Sequence, residues 1–150
     1  MNHISYTQIY YHIVLRTKNS EKSLSQHNIA ELYKYIWGIC KNKKCLLYRI
    51  NGIEDHIHLC ISLHPTIALS DFVKDIKLAT NYWMKSHNDF QRFKGWGERY
   101  AAFTCSHENR DKLINYIKNQ QEHHRKETFK EEIIRIFKEA GLDFDERFFG

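Results

Sequence analysis

Cys45-Leu46-Leu47-Tyr48-Arg49-Ile50-Asn51-Gly52-Ile53-Glu54-Asp55-His56-Ile57-His58-Leu59-Cys60-Ile61-Ser62-Leu63 decides the fold. Two apolar runs flank an Asn-Gly step, a strong hairpin signal because both residues accept positive φ. Cys45 to Asn51 therefore reads as one strand, and Ile53 or Asp55 to Leu63 as the next. Side chains two apart on a strand share a face, so His56 and His58 project the same way. Side by side, their imidazoles can hold one divalent ion. Ten histidines in 150 residues place such a pair close to what chance supplies. The pair therefore gains meaning only from partners elsewhere in the chain.

Working outward, Tyr6 to Thr17 is rich in aromatic and β-branched residues and reads as a strand with Ile9, Tyr11, Ile13 and Leu15 on one face. Asn28 to Lys43 carries Ile29, Leu32, Tyr33, Ile36 and Cys40 at helical spacing. Ser70 can cap a second helix that runs to about Ser86, with Phe72, Val73, Ile76, Ala79, Tyr82 and Trp83 as its buried stripe. Gly95-Trp96-Gly97 marks a loop before a short strand, Tyr100 to Cys105. Asn109 can start a helix that reaches about His124. Thr128-Phe129-Lys130-Glu131 is a capping box for a last helix that ends near Gly141.

The order β-α-β-β-α-β followed by two helices is an α+β, ferredoxin-like arrangement: an antiparallel sheet with helices on one face, plus two C-terminal helices. Residues 1–150 form one domain, with a core of about 1–106 and the added helices in 107–150. The first and third strands are the central pair in that topology. His56 and His58 are then expected mid-sheet on the uncovered face, closed over by the helix after the fourth strand.

Composition agrees with a single soluble domain: 42% hydrophobic and 27% charged residues. A net charge of +5 suits a polyanionic partner. The four cysteines, Cys40, Cys45, Cys60 and Cys105, contain no Cys-x-x-Cys pair, which speaks against a zinc knuckle. Cys60 and Cys105 read as buried thiols. A polar N-terminus and the lack of an apolar run approaching 18 residues speak against a signal peptide or membrane span, so a reducing cytoplasm is expected.

Tyr116 and Gln120 lie four apart, on one face of their helix. Two imidazoles, a neutral amide oxygen and waters suit Mg²⁺ or Mn²⁺, whereas structural zinc takes four nitrogen or sulfur ligands. An ion with open positions can neutralise charge on a phosphate. A helix that carries Gln120 to the metal also brings the Tyr116 phenol alongside, where attack on a phosphodiester would conserve bond energy in a phosphotyrosine. Glu54 or Asp55 can orient an imidazole; strand parity favours Glu54. His123-His124 is a poor ligand pair, because adjacent helix positions diverge by about 100°.

On these residues the chain resembles the single-tyrosine HUH transposases of bacterial insertion sequences and their relatives at repetitive extragenic palindromes (REPs). The likeness runs through Tyr11-His12-Ile13-Val14-Leu15-Arg16-Thr17-Lys18, Glu54-Asp55-His56-Ile57-His58-Leu59, Gly97 to Ser106, Asn119-Gln120-Gln121-Glu122-His123-His124 and Gly141-Leu142-Asp143-Phe144-Asp145-Glu146. It implies that Tyr116 is the nucleophile and that His56, His58 and Gln120 hold Mg²⁺ or Mn²⁺. It further implies a homodimer that binds single-stranded DNA hairpins at element ends. Cleavage would leave a 5′-phosphotyrosine and a free 3′-hydroxyl, and reversal would rejoin strands. In some members the tyrosine helix acts in trans. Lys41, Lys43, Lys44, Arg92, Lys94 and Arg99 are candidate phosphate contacts, and Trp96 a candidate stacking platform. Other readings are a domesticated nuclease that processes REP palindromes, a non-catalytic DNA hairpin-binding protein, and a small metal-dependent hydrolase.

Overall fold

The structure is a computed structural model that describes residues 5–149. Four strands, β1 (Tyr10–Thr17), β2 (Leu46–Ile53), β3 (His56–Ser62) and β4 (Trp96–Cys105), form one sheet in the order β2-β3-β1-β4. All three pairings are antiparallel. The first and third strands are central, as expected from the element order.

Helices α1 (Ile29–Asn42) and α2 (Leu69–Lys85) cover one face. Ile13, Leu15, Ile57, Leu59 and Ile61 point into this layer and meet Leu32, Ile36 and Cys40 of α1 and Phe72, Val73, Ile76 and Met84 of α2. The buried line of α2 runs through Ile76, Thr80 and Met84, four apart. Tyr82, expected in that stripe, is two positions away from Thr80 and stands 80% exposed. The helix begins after Ala68, so Ser70 lies inside the first turn and does not cap it.

The opposite face is covered too. Helices α3 (Arg110–Lys118), α4 (Gln120–His123) and α5 (Phe129–Glu139) follow β4, and Val14 and Ala101 of the sheet pack there with Phe129, Ile133 and Phe148. The Thr128 capping box is present in full: its hydroxyl accepts from Glu131 N–H, and the Glu131 carboxylate accepts from Thr128 N–H. The chain leaves α5 through Gly141, at φ 74°.

Two sequence expectations fail for tertiary reasons. Asn51 and Gly52 do not turn the hairpin. They pair with His58 and Ile57 inside the ladder, and the chain reverses at Glu54-Asp55. The Asn51 amide instead donates to the Ile117 and Lys118 carbonyls at 3.0 and 3.1 Å, tying down the end of α3. Trp96 is not in a loop either: it opens β4, and its indole N–H donates to Thr80 Oγ1 at 2.8 Å.

Gly52 is required sterically. A Cβ there would lie 2.0 Å from the His56 carbonyl oxygen and 2.7 Å from Ile57 Cα. Gly52→Ala should therefore cost about 1–3 kcal/mol or more, read by denaturant unfolding, because backbone rather than a flexible side chain must move.

Candidate metal and tyrosine site

β3 places the His56 and His58 side chains, both fully buried, on the face covered by α3–α5. Helix α3 stops at Lys118 and α4 restarts at Gln120, with Asn119 (φ −98°, ψ 24°) between them. Tyr116 and Gln120 therefore sit on two consecutive short helices, and both still reach the histidines. A third element completes the cluster. Glu132 of α5 is fully buried, and its Oε1 lies 3.0 Å from both His56 Nε2 and His58 Nε2 and 3.1 Å from His124 Nε2. Gln120 Oε1 is 3.2 Å from His56 Nε2 and 3.1 Å from His124 Nε2.

The chemistry of these donors fits a cation. His56 Nδ1 faces the Asp55 carboxylate at 2.7 Å, and His124 Nδ1 faces the Glu127 carbonyl at 2.7 Å. Both partners only accept, so each Nδ1 carries the proton. The Nε2 of a neutral ring is then a lone pair, yet both Nε2 atoms point at the oxygens of Glu132 and Gln120. Lone pairs facing lone pairs need a proton or a metal between them. Neighbouring ligands in an octahedron with bonds of about 2.1 Å lie about 3.0 Å apart, which these separations match. His56, His58 and Glu132 form a triad able to hold a metal, and Gln120 and His124 border the same space.

His12 backs this cluster from β1. Its Nε2 is 2.7 Å from His58 Nδ1. Burial, then the neighbouring His58, lowers its pKa to about 3. It is thus a neutral partner that can set the tautomer of His58. Burial also lowers the pKa of His58, against the pull of Glu132. For His56 burial acts downward, but the hydrogen bonds to Asp55 and Glu132 outweigh it and the pKa rises. Burial acts upward on the Glu132 carboxyl, yet the surrounding imidazoles hold it far below the usual carboxylate range.

Tyr116 stands beside the triad. Its hydroxyl donates to Glu132 Oε2 and accepts from Arg135 Nη2 at 2.8 Å. Arg135 is itself held by two hydrogen bonds to Glu127, at 3.0 and 2.9 Å. Burial and the Glu132 charge raise the phenol's pKa well above that of free tyrosine. The ring borders an open groove of about 370 Å³, shared with His12, Asn109, Lys112 and Arg135.

Sequence reasoning brought together His56, His58, Tyr116 and Gln120, and the fold does the same. It missed Glu132, Arg135 and His12, and it set His124 aside. The divergence of adjacent helix positions rules out a ligand pair at His123-His124 but leaves His124 free to act alone. Glu132 had one signal: it interrupts the apolar stripe Phe129, Ile133, Ile136 of α5. Asp55, rather than Glu54, holds His56, because the two-residue turn interrupts strand parity. The seven candidate DNA contacts are dispersed. Lys41, Lys43 and Lys44 lie near the Leu46 end of β2, opposite the His56 end of the hairpin. Lys43 pairs with Asp75 at 2.6 Å. Arg92 lines a hollow with Glu54, Arg99 Nη1 donates to the Arg147 carbonyl, and Trp96 is half-buried.

Two outcomes are expected. Asp55→Asn should weaken Mn²⁺ binding, followed by calorimetry, by about 10–100-fold, since an amide cannot fix the His56 tautomer as a carboxylate does. A histidine whose pKa is lowered on folding contributes stability that is fully present above about 6.5 and is lost as pH falls toward the folded value. The unfolding midpoint of metal-free protein should therefore fall as pH drops from 6.5 toward 3. His12→Gln, which keeps a hydrogen-bonding group but does not titrate, should flatten that fall.

The family described as "Transposase IS200 like" matches residues 5–120. A Deinococcus radiodurans protein assigned as a transposase superposes with a TM-score of 0.60 at 24% identity, covering 80% of this chain and 97% of that one. A REP-associated tyrosine transposase bound to a REP hairpin superposes with a TM-score of 0.61 at 13% identity, covering 83% of this chain and 74% of that one. None of the curated proteins matches the sequence. At these identities the two structures speak to the fold, while the sequence match over most of the chain speaks to descent. The chain belongs to the IS200-like transposase family.

Proposed function

We propose that this transposase cleaves and rejoins single-stranded DNA at hairpin-flanked ends through a covalent 5′-phosphotyrosine on Tyr116. The observation that carries the reading is the setting of the Tyr116 oxygen. It is directed by a carboxylate that accepts its hydrogen bond and a guanidinium that donates to it, beside a groove that Tyr116 lines.

The residues divide the work as follows. The phenol is protonated at neutral pH, so its proton must leave as the oxygen–phosphorus bond forms. Glu132 Oε2 accepts its hydrogen bond and aligns the oxygen, and the proton passes to water in the groove. Arg135 then faces the phosphate with a positive charge where negative charge develops. The bond from phosphorus to the 3′ oxygen breaks, and that oxygen takes a proton from water. Attack by a 3′-hydroxyl on the phosphotyrosine reverses every step and joins strands. His56, His58 and Glu132 would hold a divalent ion, with Gln120 beside them. Mg²⁺ or Mn²⁺ suits a nitrogen and oxygen donor set and would supply Lewis-acid neutralisation of the phosphate.

A homodimer, with the tyrosine helix acting in its own protomer or in trans, belongs to the same reading. No helix among the described residues is long and apolar enough to cross a membrane, in keeping with work on cytoplasmic DNA. Hairpin recognition draws support from the REP hairpin bound by the structural relative. One observation favours a second reading, hairpin binding without cleavage: His56, His58, Gln120 and Glu132 are wholly buried beneath α5.

The test uses Mn²⁺ and labelled single-stranded DNA carrying a hairpin from the flanks of the protein's own gene. A denaturant-resistant protein–DNA adduct is expected from the wild type. Tyr116→Phe should lose the adduct and keep binding. An adduct from Tyr116→Phe overturns the nucleophile, binding without any adduct favours the second reading, and cutting without an adduct favours hydrolysis.

A further inference from the structure

One strand over from the tyrosine site, β1 and β4 part around Arg16. Leu15 pairs with Tyr100 and Thr17 with Trp96, so the ladder slips opposite Arg16. The guanidinium crosses Gly97, where a Cβ would lie 2.7 Å from Arg16 Cζ. Glycine at 97 makes the room this cation needs. Arg16 is only 2% exposed. Its Nε donates to the Phe148 carbonyl at 3.0 Å and its Nη1 to the Thr17 carbonyl at 3.2 Å, while Nη2 has no hydrogen-bond partner among the described residues. The rings of Phe148 and Phe149, with centroids 5.7 and 5.8 Å from Cζ, offset part of the cost of burial. No carboxylate forms an ion pair with it among the described residues, and Glu98 acts on it only at longer range.

Arg16 opens onto a cavity of about 560 Å³ that Lys18, Lys77 and Lys94 also line. None of these lysines pairs with a carboxylate among the described residues. Lys77 Nζ is bound to the Gly97 and Glu98 carbonyls at 2.7 and 3.1 Å, which fixes its charge at the rim. Glu98 is the one acid in the lining. Four cations against one carboxylate, with the most buried cation unpaired, leave a charge that an anion would neutralise. A guanidinium presents a planar fork of donors that matches phosphate oxygens.

We propose that this cavity is an anion site for a phosphate group and that, in the reaction proposed above, the group is a backbone phosphate of the single strand. The second clause rests on that reading; the first does not. Arg16 is the cross-strand partner of His56, so the cavity lies at the histidine end of the sheet. It shares no lining residue with the groove beside Tyr116. A strand held at both places would be gripped beyond the phosphate under attack.

The test compares the wild type with the double variant Lys18→Gln/Lys94→Gln, at two exposed positions without ion pairs. In the first arm, inorganic phosphate replaces chloride at equal ionic strength. It should raise the wild-type unfolding midpoint more than that of the variant. In the second arm, the affinity for the hairpin-bearing single strand is measured against salt concentration. The variant's slope of log K against log salt should be shallower by about 1.4, at about 0.7 per lost phosphate contact. A phosphate effect with an unchanged slope upholds the anion site and overturns its assignment to the DNA backbone. Equal phosphate effects in both proteins together with equal slopes overturn the site. A wild type that forms no adduct defeats the tyrosine reading, while the phosphate arm still decides this one.

Discussion

The Glu132 carboxylate orders everything on the far face of the sheet. One oxygen meets three imidazoles, and the other meets the Tyr116 hydroxyl and the Gln120 amide at 2.9 Å. Five side chains, from β3, α3, α4 and the residue that follows α4, are thereby referred to one group on α5. A buried carboxylate carries a desolvation cost of several kcal/mol, and it persists only where its partners are many and well placed. Apolar contact brings it there. Phe129 and Ile133 are buried on the same side of α5, against Val14 and Ala101, so hydrophobic packing positions the charge and the imidazoles compensate it.

The sheet topology decides what can share a neighbourhood. With β3 and β1 central, His56 and His58 stand opposite Arg16 and Val14, and His12 follows two residues before Val14 on the same face. One face of two strands thus carries the histidines that meet Glu132, the imidazole behind them and the buried arginine. On the reverse face Leu15, Ile57 and Leu59 complete an ordinary core under α1 and α2. The strict alternation of the strands keeps the two environments apart, so the polar face needs no compromise in the packing of the apolar one.

Much of this was legible in the chain. The His-x-His face follows from the two-residue period of a strand, the order of elements from hydrophobic spacing, and the start of α5 from a capping box whose bonds are local. What the sequence concealed was tertiary. Asn51-Gly52 looks like a turn, yet the Asn51 amide is drawn to the end of α3 and Gly52 is required by the His56 carbonyl. Trp96 between two glycines looks exposed, yet Thr80 captures its indole. Glu132 looks like one more acid on an amphipathic helix. Its placement in the apolar stripe becomes meaningful only when α5 lies over His56 and His58. Counting parity through Glu54 failed because a turn of two residues resets it, leaving Asp55 beside the imidazole.

The same arrangement explains why a tyrosine suits this position. Burial and the adjacent Glu132 charge keep the phenol protonated, and Arg135 pulls the other way. The balance leaves an oxygen that is held in direction but not ionised. Arg135 is kept at its post by Glu127, and the Glu127 carbonyl also fixes the Nδ1 proton of His124. A single residue in the turn before α5 therefore sets both the donor to the Tyr116 oxygen and the tautomer of the ring that faces Glu132 and Gln120. The settings of Tyr116 and His124 are thus coupled through the backbone and side chain of Glu127. Displacing the start of α5 would disturb both at once, which is why Thr128 and its capping box belong to the site as much as to the helix.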